Sequence, residues 1–267
     1  MAQLFVKQAK QYSEGRPSYP QELFHFIASK TPSHDLAWDV GTGSGQAAKS
    51  LAAIYKNMVA TDTSQQQLEY AAKLPNVRYE RTPPKMSTAE LEALVGKEST
   101  FDLVTVAQAM HWFDLPAFYQ QARRVLKKPD GVIAAWCYTL AQVNEGVDAL
   151  LHKLYFVDLD PYWESPKKLV DDEYKSIEFP FEAVEGCAGT GPVEFTAERV
   201  MDLEGYLTWL RSWSAYQTAK HKGVEVLGED VVGRFRDAWN EDGGGQKRVT
   251  FPVFLRIGKV GNVDMNS

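Results

Sequence analysis

The stretch Leu36-Ala37-Trp38-Asp39-Val40-Gly41-Thr42-Gly43-Ser44-Gly45-Gln46 places three glycines at alternate positions behind a short apolar run. The apolar run has the length of a buried strand, and Gln46-Ala47-Ala48-Lys49-Ser50-Leu51 has the composition of a helix. A strand, a tight glycine turn and a helix form the first βα unit of an open α/β sheet. Glycine permits a sharp turn and lets the backbone approach a ligand closely. We therefore expect a ligand at this turn.

The spacing of the glycines indicates which ligand. A dinucleotide-binding turn, Gly-x-Gly-x-x-Gly, would need its third glycine at Gln46, whereas here it comes one residue earlier, at Gly45. The apolar run Val59-Ala60-Thr61-Asp62 ends in an acid about 20 residues further on, the offset at which such folds bind ribose hydroxyls. Together with Asp39 before the loop, this pattern resembles motif I of the class I S-adenosylmethionine-dependent methyltransferases. The resemblance implies a methyl donor whose amino-acid end lies over the glycine loop.

A second resemblance lies upstream of the glycine loop. The pattern Tyr-x-x-x-Arg-Pro-x-Tyr-Pro, from Tyr12 to Pro20, resembles the entrance segment of the trans-aconitate methyltransferase-like (methyltransferase type 11) family. It also resembles the plant embryo-abundant methyltransferases. In these relatives such a segment folds over the donor, which implies that Tyr12, Arg16 and Tyr19 line the site. The alternative is an aromatic-proline turn that packs the N-terminus onto the domain.

The run after the predicted fourth strand is also similar to this family. Residues 101–107 are mostly apolar and lead into Gln108-Ala109-Met110-His111-Trp112-Phe113. Ligands of open parallel sheets bind beyond the carboxyl ends of the strands, so these six residues are expected where donor and acceptor meet. An imidazole titrates near neutral pH, so His111 is a candidate base for the acceptor proton. The alternative is that His111 orients a loop, since transfer to a carboxylate requires no base.

The fold expected from these patterns is α/β: a Rossmann-like, doubly wound, seven-stranded, mostly parallel sheet. The resemblance implies an antiparallel last strand and a helical insertion that covers the substrate. We expect one methyltransferase domain over 1–267, with a donor-binding core at 12–138, the insertion at about 140–180, and the remaining helices and last strands at 181–267. Residues 203–216 predict one helix with four aromatic residues on one face, a pattern typical of core, although an aromatic wall over the acceptor is the alternative.

The candidate site residues fall into two groups. Those expected to bind S-adenosylmethionine, and the product S-adenosylhomocysteine, are Tyr12, Asp39, Gly41, Thr42, Gly43, Gly45, Asp62, Thr63, Thr82, Pro83, Gln108, Ala109 and Met110. Those expected to bind the acceptor are Arg16, Tyr19, His111, Trp112, Tyr138 and Trp213, with His111 as the catalytic candidate. Arg211 is a further candidate partner for a carboxylate, although surface solvation is favoured for it.

Composition narrows the class of partner. The 267 residues are 44% hydrophobic, enough for a full core, and the net charge of −6 argues against a surface built for nucleic acid or anionic lipid. No run predicts a membrane span, and the first residues lack the features of a signal peptide. Two cysteines give neither a disulfide framework nor a metal cluster, so we expect a cytoplasmic protein without a metal.

Several functions remain to be weighed. An NAD-dependent oxidoreductase on the same fold is disfavoured by the missing third glycine and the His-Trp-Phe run. An adenine methyltransferase would carry Asp/Asn-Pro-Pro-aromatic after the fourth strand, and a cytosine enzyme a Pro-Cys pair; neither is present. A donor-binding regulator without activity is a third possibility. The trans-aconitate resemblance favours a small-molecule acid and O-methylation of a carboxyl or hydroxyl group, with N- or S-methylation as the alternative.

Overall fold

The computed structural model describes residues 18–261 and contains one seven-stranded sheet. The strand order is β3-β2-β1-β4-β5-β7-β6. The strands are β1 (Leu36–Val40), β2 (Asn57–Asp62), β3 (Val77–Arg81), β4 (Leu103–Ala107), β5 (Val132–Tyr138), β6 (Val193–Met201) and β7 (Lys247–Lys259). Strands β1 to β5 pair in parallel, and β7 pairs antiparallel with β5 from Val132–Lys259 to Tyr138–Val253. The expected Rossmann-like sheet with an antiparallel last strand is confirmed.

Helices connect the strands. The α-helices are α1 (Gln21–Ala28), α2 (Gln46–Leu51), α3 (Gln65–Glu69), α4 (Thr88–Leu94), α5 (Leu115–Val125), α6 (Glu145–Lys153), α7 (Lys167–Asp171), α8 (Leu203–Arg211), α9 (Ser214–His221) and α10 (Glu229–Asn240). A single turn of 3₁₀ helix, Met110–Trp112, follows β4, and a π-helical segment, Leu154–Asp158, continues α6. None of the helices among residues 18–261 is long and apolar enough to cross a membrane.

The chain divides into two compact units. Among the described residues, the sheet unit contains 19–138, 169–195 and 253–261, and the helical unit contains 139–168 and 196–252. The expected insertion at about 140–180 therefore overlaps the helical unit only in part, because residues 169–195 belong to the sheet unit. The covering of a substrate by this insertion stays a prediction.

The sheet unit forms because its central strands are apolar on both faces. Every residue of β5 is buried, as are the first four residues of β4. Strands of a parallel sheet that is covered by helices on both faces are continuous apolar segments, as β4 and β5 are. The core between sheet and helices includes Trp38, Phe101 and Ile133, each with no exposed surface. This rigid centre fixes the loops that follow β1 and β4.

Side-chain caps fix the starts of the helices that follow β2 and β3. The Ser64 side chain accepts a hydrogen bond from the Gln67 N–H at the start of α3. Ser87 and Glu90 form a full capping box at α4. Such caps satisfy amide groups that the first helical turn leaves unpaired, so each fixes where its helix begins.

The aromatic segment of the helical unit differs from the expectation. The single helix predicted over 203–216 is two helices, because Trp213 has an extended backbone (φ −68°, ψ 139°) between α8 and α9. Tyr206, Trp209, Trp213 and Tyr216 are all buried. The core interpretation of the aromatic stripe is therefore confirmed, although its residues lie on two helices.

Candidate functional site

The candidate site lies where the strand order reverses. Strands β1 and β4 are parallel neighbours, with β2 and β3 on one side and β5 on the other. Connections after the two central strands of such a sheet leave in opposite directions and open a crevice at the carboxyl ends. The glycine loop follows β1, and residues 108–113 follow β4, so the two most informative stretches of the sequence meet at this crevice.

The three loop glycines have different surroundings. Gly41, Gly43 and Gly45 all have left-handed backbones, with φ of 66°, 57° and 82°, which other residues adopt only at a cost. A Cβ on Gly41 would lie 2.9 Å from the Ala109 Cβ, and one on Gly45 would lie 3.0 Å from the Tyr79 hydroxyl. A Cβ on Gly43 would meet nothing within 4 Å. Gly41 and Gly45 are therefore required by packing, whereas Gly43 faces open space in which a ligand can approach the backbone.

Asp39, on β1, supports the glycine loop through hydrogen bonds with Thr42 and Thr105. It has no exposed surface, and its two carboxylate oxygens accept hydrogen bonds from the hydroxyls of Thr42 at 2.6 Å and Thr105 at 2.7 Å. Burial raises the pKa of Asp39 to about 6, with a smaller contribution from the negative charge of Asp62, while the two threonine hydroxyls oppose the rise. Because Asp39 is buried and ties β1 and β4 to the loop, its predicted role in donor binding would act through the loop conformation.

Asp62 ends β2 and holds the opposite side of the loop. Its Oδ2 accepts from the Gly43 N–H at 2.8 Å, and its Oδ1 accepts from the Ser64 N–H at 2.8 Å. A carboxylate has about four acceptor positions, so each oxygen retains capacity for one more donor. The ribose-binding role of Asp62 stays a prediction that this geometry permits.

Three of the predicted donor-binding residues lie at the ends of β2 and β3. Thr63 is exposed directly after β2, and Thr82 is buried directly after β3, where its N–H donates to the Asp62 carbonyl at 3.0 Å. Pro83 is exposed. The three residues are thus at the carboxyl edge of the sheet with the glycine loop, and their role in donor binding stays a prediction.

Gln108 joins the ends of β4 and β5 and has a left-handed backbone, φ 55°. Its side-chain oxygen accepts from the Tyr138 N–H at 2.7 Å, and its amide nitrogen donates to the Tyr138 carbonyl at 3.4 Å. A non-glycine residue in this conformation is costly and is frequent at functional sites. The turn places Ala109 against Gly41, so residues after β4 pack directly on the glycine loop, while Met110 is buried in the core.

His111 has a partner that sequence reasoning missed. Its Nδ1 lies 2.8 Å from the hydroxyl of Tyr174, a fully buried residue that follows α7. No sequence motif marks Tyr174, and 63 positions separate the two residues. Next to His111, Trp112 is 51% exposed, and the two rings are 4.9 Å apart. His111 and Trp112 are therefore placed together at the crevice, with His111 half-buried between an exposed and a buried ring.

Two of the predicted acceptor residues lie together near the end of β5. Tyr19 packs edge-on against Trp136 at 5.4 Å between ring centroids, and its ring lies 6.5 Å from that of Tyr138. This contact is what the packing interpretation of the aromatic-proline turn expects for Tyr19. Tyr12 and Arg16 lie outside the described residues.

Trp213 belongs to the helical unit. It is buried, with ring contacts at 5.4 Å to Tyr155, 5.7 Å to Trp163 and 4.9 Å to Trp209. Such contacts fit a core residue, and its acceptor-binding role stays a prediction. In the same unit, Arg211 pairs with Glu204 at 2.8 Å, as expected for a solvated surface residue.

Over residues 18–261, no cluster of three or more His, Cys, Asp or Glu side chains has the arrangement of a metal site. Cys137 is buried, and burial raises the pKa of its thiol, which keeps the group neutral. The polar groups described at the crevice are the loop backbone, Asp62, Gln108 and His111.

Comparison with known proteins identifies the family. The family described as methyltransferase domain matches residues 38–135. A Dictyostelium discoideum protein named as a methyltransferase is 33% identical over 257 residues, which cover 94% of this chain and 92% of that protein. A Saccharomyces cerevisiae protein named as an S-adenosylmethionine-dependent methyltransferase is 30% identical over 142 residues, 52% of this chain and 48% of that protein.

A solved structure agrees with the sequence comparison. The solved structure of an Anaeromyxobacter dehalogenans protein named as a type II methyltransferase has a TM-score of 0.78 and 31% identity, and the match covers 92% of this chain and 98% of that one. The fold, the crevice at the glycine loop and the two nearly full-length matches lead to one conclusion. The chain belongs to the class I S-adenosylmethionine-dependent methyltransferases.

Proposed function

We propose that this enzyme binds S-adenosylmethionine over Gly43 and transfers its methyl group to an oxygen of a small molecule, a carboxylate or a hydroxyl. The observation that carries the proposal is the meeting of the glycine loop with residues 108–113 at the carboxyl ends of β1 and β4. The glycine loop offers a binding place for the donor, and residues 108–113 lie beside it, where the acceptor would bind. Trans-aconitate methyltransferase-like proteins, which the N-terminal segment resembles, support an acid as the acceptor.

The residues of the crevice fit the donor. The open space over Gly43 admits a ligand against the backbone, and Asp62 beside it retains acceptor capacity for ribose hydroxyls. Thr82 and Pro83 follow β3 on the side where the adenine is expected. Gln108, held to β5 by two hydrogen bonds, offers a rigid turn beside the loop.

Methyl transfer by direct displacement depends more on the alignment of donor and acceptor than on acid–base groups. When bound, S-adenosylmethionine supplies a methyl group on a positively charged sulfur. Direct displacement requires the acceptor atom in line with the bond that breaks, and holding the two reactants in this geometry accounts for much of the rate. The rigid turn from Gln108 to Met110 and the packed Gly41 provide a fixed wall for such alignment. A carboxylate acceptor is already anionic and has no proton to lose.

Two alternatives concern the same site. Transfer to an amine or a thiol would use the same donor and the same crevice, and the acceptor atom decides between them. A further possibility is that the acceptor carries a hydroxyl proton that His111 removes. We favour an oxygen acid because of the family resemblance of the entrance segment, in which Arg16 is the candidate partner of its carboxylate.

Two measurements test the proposal. Calorimetry should show binding of S-adenosylmethionine and S-adenosylhomocysteine, and none of NAD(H); the reverse pattern would refute the donor. A panel of small acids, phenols and amines, with trans-aconitate as the first acid, should then be incubated with methyl-labelled donor. Transfer of label to an acid or a phenol supports oxygen methylation, whereas transfer to amines alone would overturn it.

A further inference from the structure

The pair formed by His111 and Tyr174 extends the expected site, which included His111 but not Tyr174. Tyr174 has no exposed surface, and its hydroxyl lies 2.8 Å from Nδ1 of His111. The two rings are 6.0 Å apart between centroids, so the hydroxyl makes the contact and the rings do not stack. A neutral imidazole has one nitrogen that donates and one that accepts, and the hydrogen bond at Nδ1 decides which is which.

The direction of this hydrogen bond follows from the burial of the hydroxyl. Burial raises the pKa of Tyr174, so the hydroxyl keeps its hydrogen. Because Tyr174 has no exposed surface, this hydrogen cannot be donated to solvent, and a buried donor requires an acceptor within the protein. Nδ1 of His111 is the acceptor that the described residues place at hydrogen-bond distance.

The backbone of Tyr174 is held in an unusual conformation. Glu173 and Tyr174 both have φ of 59°, two successive non-glycine residues in the left-handed region. The Tyr174 carbonyl accepts from Nη1 of the buried Arg256 at 2.6 Å, and its N–H donates to the Leu169 carbonyl at 2.9 Å. Conformations of this kind are costly and persist only where the surroundings fix them, frequently at functional sites. Arg256 and the end of α7 thus fix the position from which Tyr174 reaches His111.

We propose that Tyr174 is a positioning residue whose hydroxyl donates to Nδ1 and holds His111 with its hydrogen on Nε2. His111 then donates a hydrogen bond from Nε2 to an anionic oxygen of the acceptor and does not act as a base. The role of Nε2 rests on the proposed function, whereas the tautomer of His111 does not depend on it.

This assignment narrows the substrate class to acids that are ionised before transfer, carboxylates or phenolates. An electron pair of the acceptor oxygen forms the new O–C bond while the S–C bond of the donor breaks, and that bonding pair stays on sulfur. The anion and the sulfonium are both neutralised, and no proton changes place. Donation from Nε2 to the second oxygen of a carboxylate, or to another lone pair of a phenolate oxygen, orients the acceptor without removing the reacting electron pair.

The tautomer can be measured directly. The full chain, labelled with ¹⁵N-histidine, is studied by two-bond ¹H–¹⁵N correlation at a pH at which imidazole is neutral, and the His111 signals are assigned by their loss in His111→Gln. We expect a single tautomer in the wild type, with hydrogen on Nε2 and none on Nδ1. In Tyr174→Phe we expect the averaged shifts of two exchanging tautomers. Tyr119→Phe is the matched control, because it removes another buried hydroxyl, which donates to the Glu178 carbonyl at 2.9 Å and lies 4.0 Å from the sulfur of Met110, and it keeps the Tyr174 hydroxyl in place.

A wild-type His111 with hydrogen on Nδ1 would overturn the proposal, and this result needs no variant to fold. Unchanged shifts in a folded Tyr174→Phe would also overturn it. The measurement uses neither donor nor acceptor, so failure of the proposed function would be seen separately, as a lack of S-adenosylmethionine binding in calorimetry with the tautomer intact.

Discussion

Oδ2 of Asp62 accepts a hydrogen bond at 2.8 Å from the backbone N–H of Gly43, so the acid that ends β2 holds the loop glycine that faces open space. The Asp62 carboxylate can therefore both bind the donor and fix the conformation of the glycine loop over which the donor would lie. Substitutions at either residue therefore test both roles.

Asp62→Ala should weaken binding of S-adenosylmethionine. Loss of the carboxylate leaves polar atoms of the ligand and the Gly43 amide unpaired, at a cost of about 1–3 kcal/mol, or roughly 5- to 150-fold in Kd. Calorimetry measures the effect. Asp130→Ala, which removes only a surface ion pair with Lys259, is the control and should bind normally. An unchanged Kd in folded Asp62→Ala would refute the ribose assignment.

Gly43→Val should abolish donor binding while the protein remains folded. The side chain would occupy the open space over the loop, and the left-handed backbone adds strain of about 1–2 kcal/mol. Gly223→Val is a matched control, because Gly223 has φ of 79° and equally open surroundings in the turn after α9. Similar melting temperatures with donor binding lost only in Gly43→Val are expected. If residual folded Gly43→Val binds normally, the glycine is required for structure alone.

Asp39 should make stability depend on pH. Its folded pKa of about 6 lies above the ordinary 3.8, so the native state binds this proton more tightly than the unfolded chain does. Its contribution is therefore largest below about pH 4 and declines as pH rises to about 6, by roughly 2–3 kcal/mol. Urea unfolding of the wild type and Asp39→Asn across this range measures it. The free energy of unfolding of the wild type minus that of Asp39→Asn should decrease as the pH rises. An increase instead would show that the fold stabilises the charged form of the Asp39 carboxylate.

Arg256→Met should destabilise the sheet unit. The guanidinium donates to the carbonyls of Tyr174 at 2.6 Å, Ile177 at 3.1 Å and Thr190 at 3.2 Å, and the substitution leaves them without this donor. We expect a loss of about 2–4 kcal/mol in the free energy of unfolding. Arg124→Met, which removes surface ion pairs with Glu92 and Glu98, should cost less than about 1 kcal/mol. Equal losses would mean that the carbonyls find other donors.

Kinetics at His111 distinguish a hydrogen-bond donor from a base. The glutamine amide can replace an Nε2–H donor but cannot accept a proton, so His111→Gln should retain clearly more kcat/KM than His111→Ala. If His111 is the base, the two variants should be equally impaired, and both should lose a limb of the pH profile near neutrality. The assay is label transfer to an acceptor identified in the panel. A wild-type limb that survives in His111→Gln belongs to another group.

Local sequence predicted most of the sheet unit. Asp39, the loop glycines and Asp62 lie where their spacing indicated, because a parallel βα unit couples strand, loop and helix over short distances. Tyr174 could not be found in this way. Its role depends on a left-handed backbone at Glu173 and a distant arginine, Arg256, and neither leaves a local pattern.

The helical unit was harder to predict for a related reason. Periodicity identified Trp209 and Trp213 as buried, but it could not show that the backbone changes direction at Trp213, since the same apolar spacing continues from α8 into α9. The return of residues 169–195 to the sheet unit likewise depends on contacts between remote segments.

The position of β7 between β5 and β6 has a consequence for synthesis on the ribosome. Strands β1 to β5 are synthesised in order and can pair as they appear. One edge of β5, however, stays unpaired until β7 has been synthesised. During that interval β5, apolar along its whole length, is an open edge of the kind that recruits other chains. A nascent chain stalled before Lys247 therefore presents an aggregation hazard at Val132–Tyr138, and chaperone binding to this strand should decrease once β7 has been made.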